Sequence, residues 1–192
     1  MNHTQTLPVS RLIAGVPLDG VELRGLNENP DQRGSFTELF AQEWGVGISP
    51  VQWSMVRSEP NVLRGLHIHQ RHDEWFCLIE GHCLVGLYDT RCDSQTFGQH
   101  ALYELSGTDL KTVSFPAGLL HGWYYYTPSI HLQAVSESYC NYAGDDNLGC
   151  RWNDPALGIP WAISEPILSE RAAHFPPLSD LLAALAIAEV YQ

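Results

Sequence analysis

The stretch that most limits how this chain can fold is residues 75–88. Strand-forming residues stand on both sides of Glu80-Gly81, and Cys83, Val85 and Leu87 repeat with a period of two. A β-hairpin with one buried face accounts for both features. The same pattern of short alternating runs cut by turn residues extends outward. VELRGL from Val21 reads as a strand and NENPDQRGS after it as a turn; residues 35–40 and 51–56 resume the alternation. Residues 89–99 are polar, with a turn at 94–98. Residues 111–115, 121–126 and 130–136 read as further strands, with a shorter one at 161–163. Only the tail has helical character: Ser179 can cap a helix over 180–190, with Leu181, Leu182, Leu185 and Val190 near one face. Many short strands and one terminal helix predict an all-β chain, a barrel or sandwich, in a single domain over 1–192. Residues 1–20 form an arm or edge strand, and residues 179–190 the C-terminal helix.

Composition narrows the function. Acidic residues outnumber basic ones by 22 to 10 with no Lys/Arg-rich run, which argues against a nucleic-acid surface. No apolar run approaches the ~20 residues of a membrane span, and the first residues lack the pattern of a secretory signal. The expectation is a soluble, cytoplasmic protein without nucleic-acid or membrane partners. Five cysteines, with no CxxC spacing, make a disulfide framework or structural zinc site improbable, and Cys77 and Cys83 read as small core residues.

Chemistry concentrates just before the hairpin. His67 and His69 are two apart, so on a strand they share a face. Glu74 follows after a short turn, and His121 arrives from a separate hairpin through Pro116-x-Gly118-x-x-His121. Three imidazoles and a carboxylate suit a divalent first-row metal and leave positions open for substrate. The plain alternative is a solvated turn, since Gln70, Arg71, His72 and Asp73 surround His69 and Glu74 with polar groups.

H-x-H-x4-E-x6-G followed by P-x-G-x2-H resembles the paired motifs of the cupin superfamily, whose metal ligands fall on His67, His69, Glu74 and His121. A more specific resemblance runs from about Val16 to Leu182. DQRGSFTELF, VLRGLHIHQ, YDTRCDSQTFG, FPAGLLHGW and WNDPALGIPW are similar to the dTDP-4-dehydrorhamnose 3,5-epimerase family, a branch of the cupins. That resemblance implies a cupin-type antiparallel β-barrel, a jelly roll, acting on a nucleotide-linked 4-keto-6-deoxy sugar without an organic cofactor. It implies a homodimer with exchanged N-terminal strands, for which residues 1–20 are available. It makes His67 the base; RG-x-H-x-H also resembles the sugar 3,4-ketoisomerases of the same superfamily, which implies His69 as its candidate proton partner. Arg33, Glu38, Gln52, Arg64, His121 and Arg171 become contacts to nucleotide, phosphates or sugar. Arginine suits that duty through its bidentate fork.

Several positions depart from the family pattern. Gln133 stands where the family carries its general-acid Tyr, Glu74 where it has a Lys, and Ala172 where an Asp supports the histidine, with Glu170 close by. Tyr139 and Tyr142 are substitute acids farther along the chain. Loss of the Lys with gain of Glu74 suggests a metal in place of the lost cation. A His67 that binds metal through its lone pair cannot also be a free base, so one of those roles must yield. Three functions remain open: an epimerase or isomerase of nucleotide sugars in deoxysugar and surface-polysaccharide biosynthesis, a metal-dependent cupin enzyme such as a dioxygenase or lyase, and a non-catalytic nucleotide-sugar binder.

Overall fold

A computed structural model describes residues 8–142 and 148–190. In chain order its strands are β1 (Arg11–Gly15), β2 (Glu22–Gly25), β3 (Glu28–Asp31), β4 (Gly34–Thr37), β5 (Gln52–Ser58), β6 (Leu63–Ile68), β7 (Glu74–Glu80), β8 (His82–Asp89), β9 (His100–Ser106), β10 (Lys111–Phe115), β11 (Leu119–Tyr125), β12 (Ser129–Val135) and β13 (Leu148–Gly149). The helices are α1 (Tyr139–Tyr142), α2 (Glu170–Ala173) and α3 (Leu178–Val190). One sheet runs β1-β9-β8-β11-β6-β13 and the other β2-β10-β7-β12-β5, and their paired strands are antiparallel. Two antiparallel sheets packed face to face, each alternating inward and outward side chains, make the cupin-type jelly roll.

Alternation along the strands sorts the apolar residues into three layers. Between the sheets lie Phe76, Leu78, Cys83, Val85, Leu87, Val113, Trp123 and Tyr125. Outside the six-stranded sheet, Leu63, Leu84, Leu120 and Tyr124 are covered by Trp161 and by Leu178, Leu181 and Leu185 of α3. Outside the five-stranded sheet, Trp75 and Cys77 are covered by Val46 and Ile48. Polar inward-facing side chains gather at one end of the inner layer, and they form the site.

The hairpin expected about Glu80-Gly81 does not form: β7 belongs to the five-stranded sheet and β8 to the six-stranded one, so Gly81, at φ 97° and backed by Pro128 and Ser129, carries the chain from one sheet to the other, a position only glycine fills without strain. Other expectations needed correction. NENPDQRGS is no simple turn: β3 and β4 pair as a hairpin of their own, with an Asp31–Arg33 ion pair at its tip. Residues 161–163 form no strand, because Trp161 and Ile163 serve as apolar cover over the six-stranded sheet. The last helix starts at Leu178, one residue before Ser179. Pro177 supplies the carbonyl for Asp180 and Leu181, and the distant Asp154 carboxylate accepts the Leu178 N–H. Ser179 therefore lies in the first turn, with its hydroxyl on Asp180. The Val190 side chain lies outside the described residues, as do residues 1–7 of the expected arm. Residues 11–15 of that arm pair with β9 in the same chain, at the edge of its sheet.

Candidate active site

Strands β6, β7, β11 and β12 bring the site together. On β6 the register pairs His67 with His121 of β11, and inward alternation turns both rings into the space between the sheets. Glu74 opens β7 opposite Val135 of β12, so its carboxylate enters the same space. Val56, Arg64, His67, His69, His121, Trp123, His131 and Gln133 line one cavity of about 190 Å³. Arg64 and His67 also border a wider cleft of about 530 Å³, lined beyond them by Val62, Leu63, Ile167, Leu168, Ser169 and Arg171. Cavity and cleft thus meet at His67.

Glu74 is the electrostatic centre. Its Oε1 lies 3.2 Å from His121 Nε2 and 3.3 Å from His69 Nε2, while Oε2 accepts from Gln133 Nε2 at 2.7 Å. Burial alone would raise the carboxyl; the charge of His121 and the close imidazoles of His121, His72 and His69 hold it well below the ordinary range. His121 moves the other way: burial opposes its protonation, but Glu74 and the Leu119 carbonyl outweigh that and raise its pKa. Its Nδ1 lies 2.9 Å from the Leu119 carbonyl and donates there, which leaves Nε2 facing Glu74. Although these atoms are close, neither Glu74 Oε1 nor His121 Nε2 completes an aligned hydrogen bond among the described residues.

That geometry fits a metal. One ligand atom each from His69, Glu74 and His121 lies within 4.8 Å of the others, and the three are buried or nearly so. The Leu119 carbonyl and Gln133 orient His121 and Glu74 from behind, as outer partners of metal ligands do. The set does not include His67. Its Nδ1 accepts from Arg171 Nη2 at 3.1 Å, and its ring stands 6.3 Å from that of His121 and edge-on to Phe175 at 5.6 Å. Burial, then the charges of His121 and Arg171, push the His67 imidazole down to about 3.

Sequence reasoning placed the remaining candidates less evenly. Arg64 and Arg171 border the cleft, and it is Arg171, not Glu170, that reaches His67. Arg33 is exposed at the hairpin tip, Glu38 lines a separate pocket with Arg24 and Trp44, and Gln52 accepts from the Ser138 hydroxyl and the Tyr139 N–H. None of the three borders the histidine cavity or its cleft. Tyr139 is exposed on α1, and the Tyr142 side chain lies outside the described residues. The sequence motifs single out neither His131 nor its contact with the Tyr125 hydroxyl. The alternation through His131 and Gln133 on β12 was the available signal, because it puts both side chains on the face that Glu74 uses.

Residues 16–180 match the family model described as dTDP-4-dehydrorhamnose 3,5-epimerase. The chain belongs to that family. The epimerase family includes the dTDP-4-dehydrorhamnose 3,5-epimerase of Salmonella typhimurium, 32% identical over 163 residues that cover 79% of this chain and 87% of the relative. The spore coat polysaccharide biosynthesis protein SpsL of Bacillus subtilis is 30% identical over 146 residues, 75% of this chain and 96% of its own. Among solved structures, the dTDP-6-deoxy-D-glucose-3,5-epimerase of Legionella pneumophila, in complex with dTDP-4-keto-L-rhamnose, superposes with a TM-score of 0.77 at 26% identity, covering 90% of this chain and 96% of the other.

Proposed function

We propose that this chain is an epimerase or isomerase of a nucleotide-linked 4-keto-6-deoxy sugar, serving deoxysugar and surface-polysaccharide biosynthesis. The observation that carries the reading is the meeting of two arginines and a neutral imidazole where the cleft joins the buried cavity. Arg64 and Arg171 suit a diphosphate, and the cavity beyond them suits a sugar ring. Family membership supports that substrate class, and the ligand of the Legionella structure is of the same kind.

A ketone at C4 acidifies the protons on C3 and C5, so a base can remove one and an acid can return it to the opposite face. His67 is the proposed base. In the free protein Arg171 caps its Nδ1 lone pair; a diphosphate that draws the guanidinium away would release that lone pair beside the sugar. Because His67 stands outside the set of His69, Glu74 and His121, the base and ligand roles fall on different residues. A divalent ion bound by those three would polarise the C4 carbonyl and stabilise the enolate. Two histidines and a carboxylate suit a first-row divalent cation, and the same donor set favours a second reading, a metal-dependent cupin enzyme of another class. Arg33, Glu38 and Gln52 complete nucleotide recognition only in an assembly. We place the protein in the cytoplasm as a homodimer; the pairing is supported by the exposed Trp53 and Met55 on edge strand β5, Val51 just before it, and Phe36 on the β3–β4 hairpin.

Incubation with dTDP-4-keto-6-deoxyglucose in D2O, followed by NMR, tests the reaction. Deuterium should enter at C3 or C5. Nucleotide-sugar binding without exchange would leave a non-catalytic binder, and the absence of both would leave the metal enzyme of another class.

A further inference from the structure

Arg171 is exposed and His67 half-buried, and both border the wider cleft. Arg171 Nη2 lies 3.1 Å from His67 Nδ1. A guanidinium can only donate, so Nδ1 must accept; a protonated Nδ1 would set two donors against each other. A neutral imidazole has one basic lone pair, and here Arg171 occupies it. The proton of the ring is therefore on Nε2. In this state His67 has no free lone pair with which to take a proton from carbon.

The partners that hold Arg171 there are neutral. Its guanidinium lies 5.7 Å from the centre of the Phe175 ring, and the same ring stands edge-on to His67 at 5.6 Å. Arg64, which borders the same cleft, is likewise bound to neutral oxygens, Ser58 Oγ and the Arg57 carbonyl. Among the described residues neither arginine forms an ion pair. Accessible guanidiniums in that condition exchange neutral contacts for an anion, because hydrogen bonds between ionised groups are the stronger. The stem of Arg171 is fixed: Ser169 Oγ accepts the Ala172 N–H at 3.2 Å, and Ala172 is buried. The guanidinium can thus leave without displacing α2, and Phe175 still flanks the imidazole it uncovers.

We propose that Arg171 is a diphosphate-operated latch on His67, which uncaps the lone pair only when the nucleotide diphosphate takes the guanidinium. The inference rests on the epimerase reading and adds its regulation. Proton abstraction becomes conditional on a part of the substrate that does not react. Selectivity for the nucleotide-linked sugar then comes from turning on the base as well as from binding, so a truncated substrate loses turnover and not affinity alone. A ketosugar without the diphosphate meets a capped imidazole even when it reaches the cavity. Arg171 acts through His67 and is a positioning residue.

The test uses the methyl glycoside of 4-keto-6-deoxyglucose, which keeps the ketone and lacks the diphosphate, in D2O and a phosphate-free buffer. Deuterium uptake at C3 and C5 is followed by NMR for wild type and Arg171→Ala, each alone, with dTDP and with thymidine. Wild type alone should be slow, and dTDP should accelerate it by about tenfold or more, a part of the ~10²–10⁴-fold that a positioned base supplies. Thymidine should not. Arg171→Ala should start at least about tenfold above unaided wild type and gain less than about threefold from dTDP, since its base is never capped. An Arg171 that only bound phosphate or supported α2 would instead give a variant that is slow with or without dTDP. That result overturns the latch, as does a smaller acceleration of wild type or an equal activation by thymidine. The wild-type arms need no variant and decide even if Arg171→Ala fails to fold. Wild type is also given dTDP-4-keto-6-deoxyglucose. Exchange of that substrate, with the glycoside unmoved by dTDP, removes the latch alone; no exchange of it removes the epimerase reading and the latch with it.

Discussion

At the scale of single residues, this site is organised by where lone pairs and protons point. His121 donates Nδ1–H to Leu119 and turns Nε2 toward Glu74, and Glu74 holds Gln133 with its other oxygen. Protein purified without chelator should carry about one divalent ion per chain by elemental analysis, and Glu74→Gln or His69→Ala should lose it. Retention of full metal content by both variants would place the ion elsewhere. Arg64→Ala should weaken nucleotide-sugar binding by about 1.5–3 kcal/mol in calorimetry, the worth of a charge-assisted hydrogen bond. Unchanged affinity would remove Arg64 from the phosphate subsite. The histidine spacing in the sequence revealed His67, His69 and His121 as inward-facing groups. It could not show that Arg171 occupies the lone pair of His67, since the two are 104 residues apart and α2 must fold back to meet β6.

Among the elements, the turn after β8 depends on one buried carboxylate. Asp89 accepts from the backbone and side chain of Arg91 and from the hydroxyls of Ser94 and Thr96, and its side chain has no exposed surface. Burial alone would raise its pKa, but these hydrogen bonds bring it down to about 2. The unfolded chain therefore takes up this proton at higher pH than the folded one. The contribution of Asp89 is full above about pH 4 and is lost as pH falls toward about 2, a span worth ~2–3 kcal/mol. Denaturant unfolding of Asp89→Asn should be less stable by about that amount at pH 7 and no longer vary through this group in acid. Gly86 shows the other kind of constraint. A Cβ there would lie 2.5 Å from the Trp161 ring, so Gly86→Ala should destabilise by ~1–3 kcal/mol in thermal or denaturant unfolding. An unchanged midpoint would mean that Trp161 is free to shift. Period-two alternation made β7, β8, β10 and β12 legible, whereas the cap of α3 was not, because its acceptor is Asp154 rather than a neighbour in sequence.

For the whole molecule, the edge strand β5 exposes Trp53 and Met55 at 47% and 58%, and Val51 just before it at 61%, more than a free sheet edge usually tolerates. If this edge joins two copies, Met55→Glu should convert the dimer to monomer in sedimentation, at little cost to the fold because the side chain is largely in solvent. A wild type that sediments as a monomer would reject the arrangement. The sequence by itself determined the strand-rich architecture, the inward pairing of His67 with His69, and the family, because alternation, turn glycines and motif spacing are local properties of the chain. Tertiary structure decided which residues share a cavity: it separated His67 from the set of His69, Glu74 and His121, joined Arg171 to His67, and brought His131 against Tyr125. Those outcomes depend on strand register and on the closing of two sheets, and pairings between residues far apart in sequence leave no periodic trace along it.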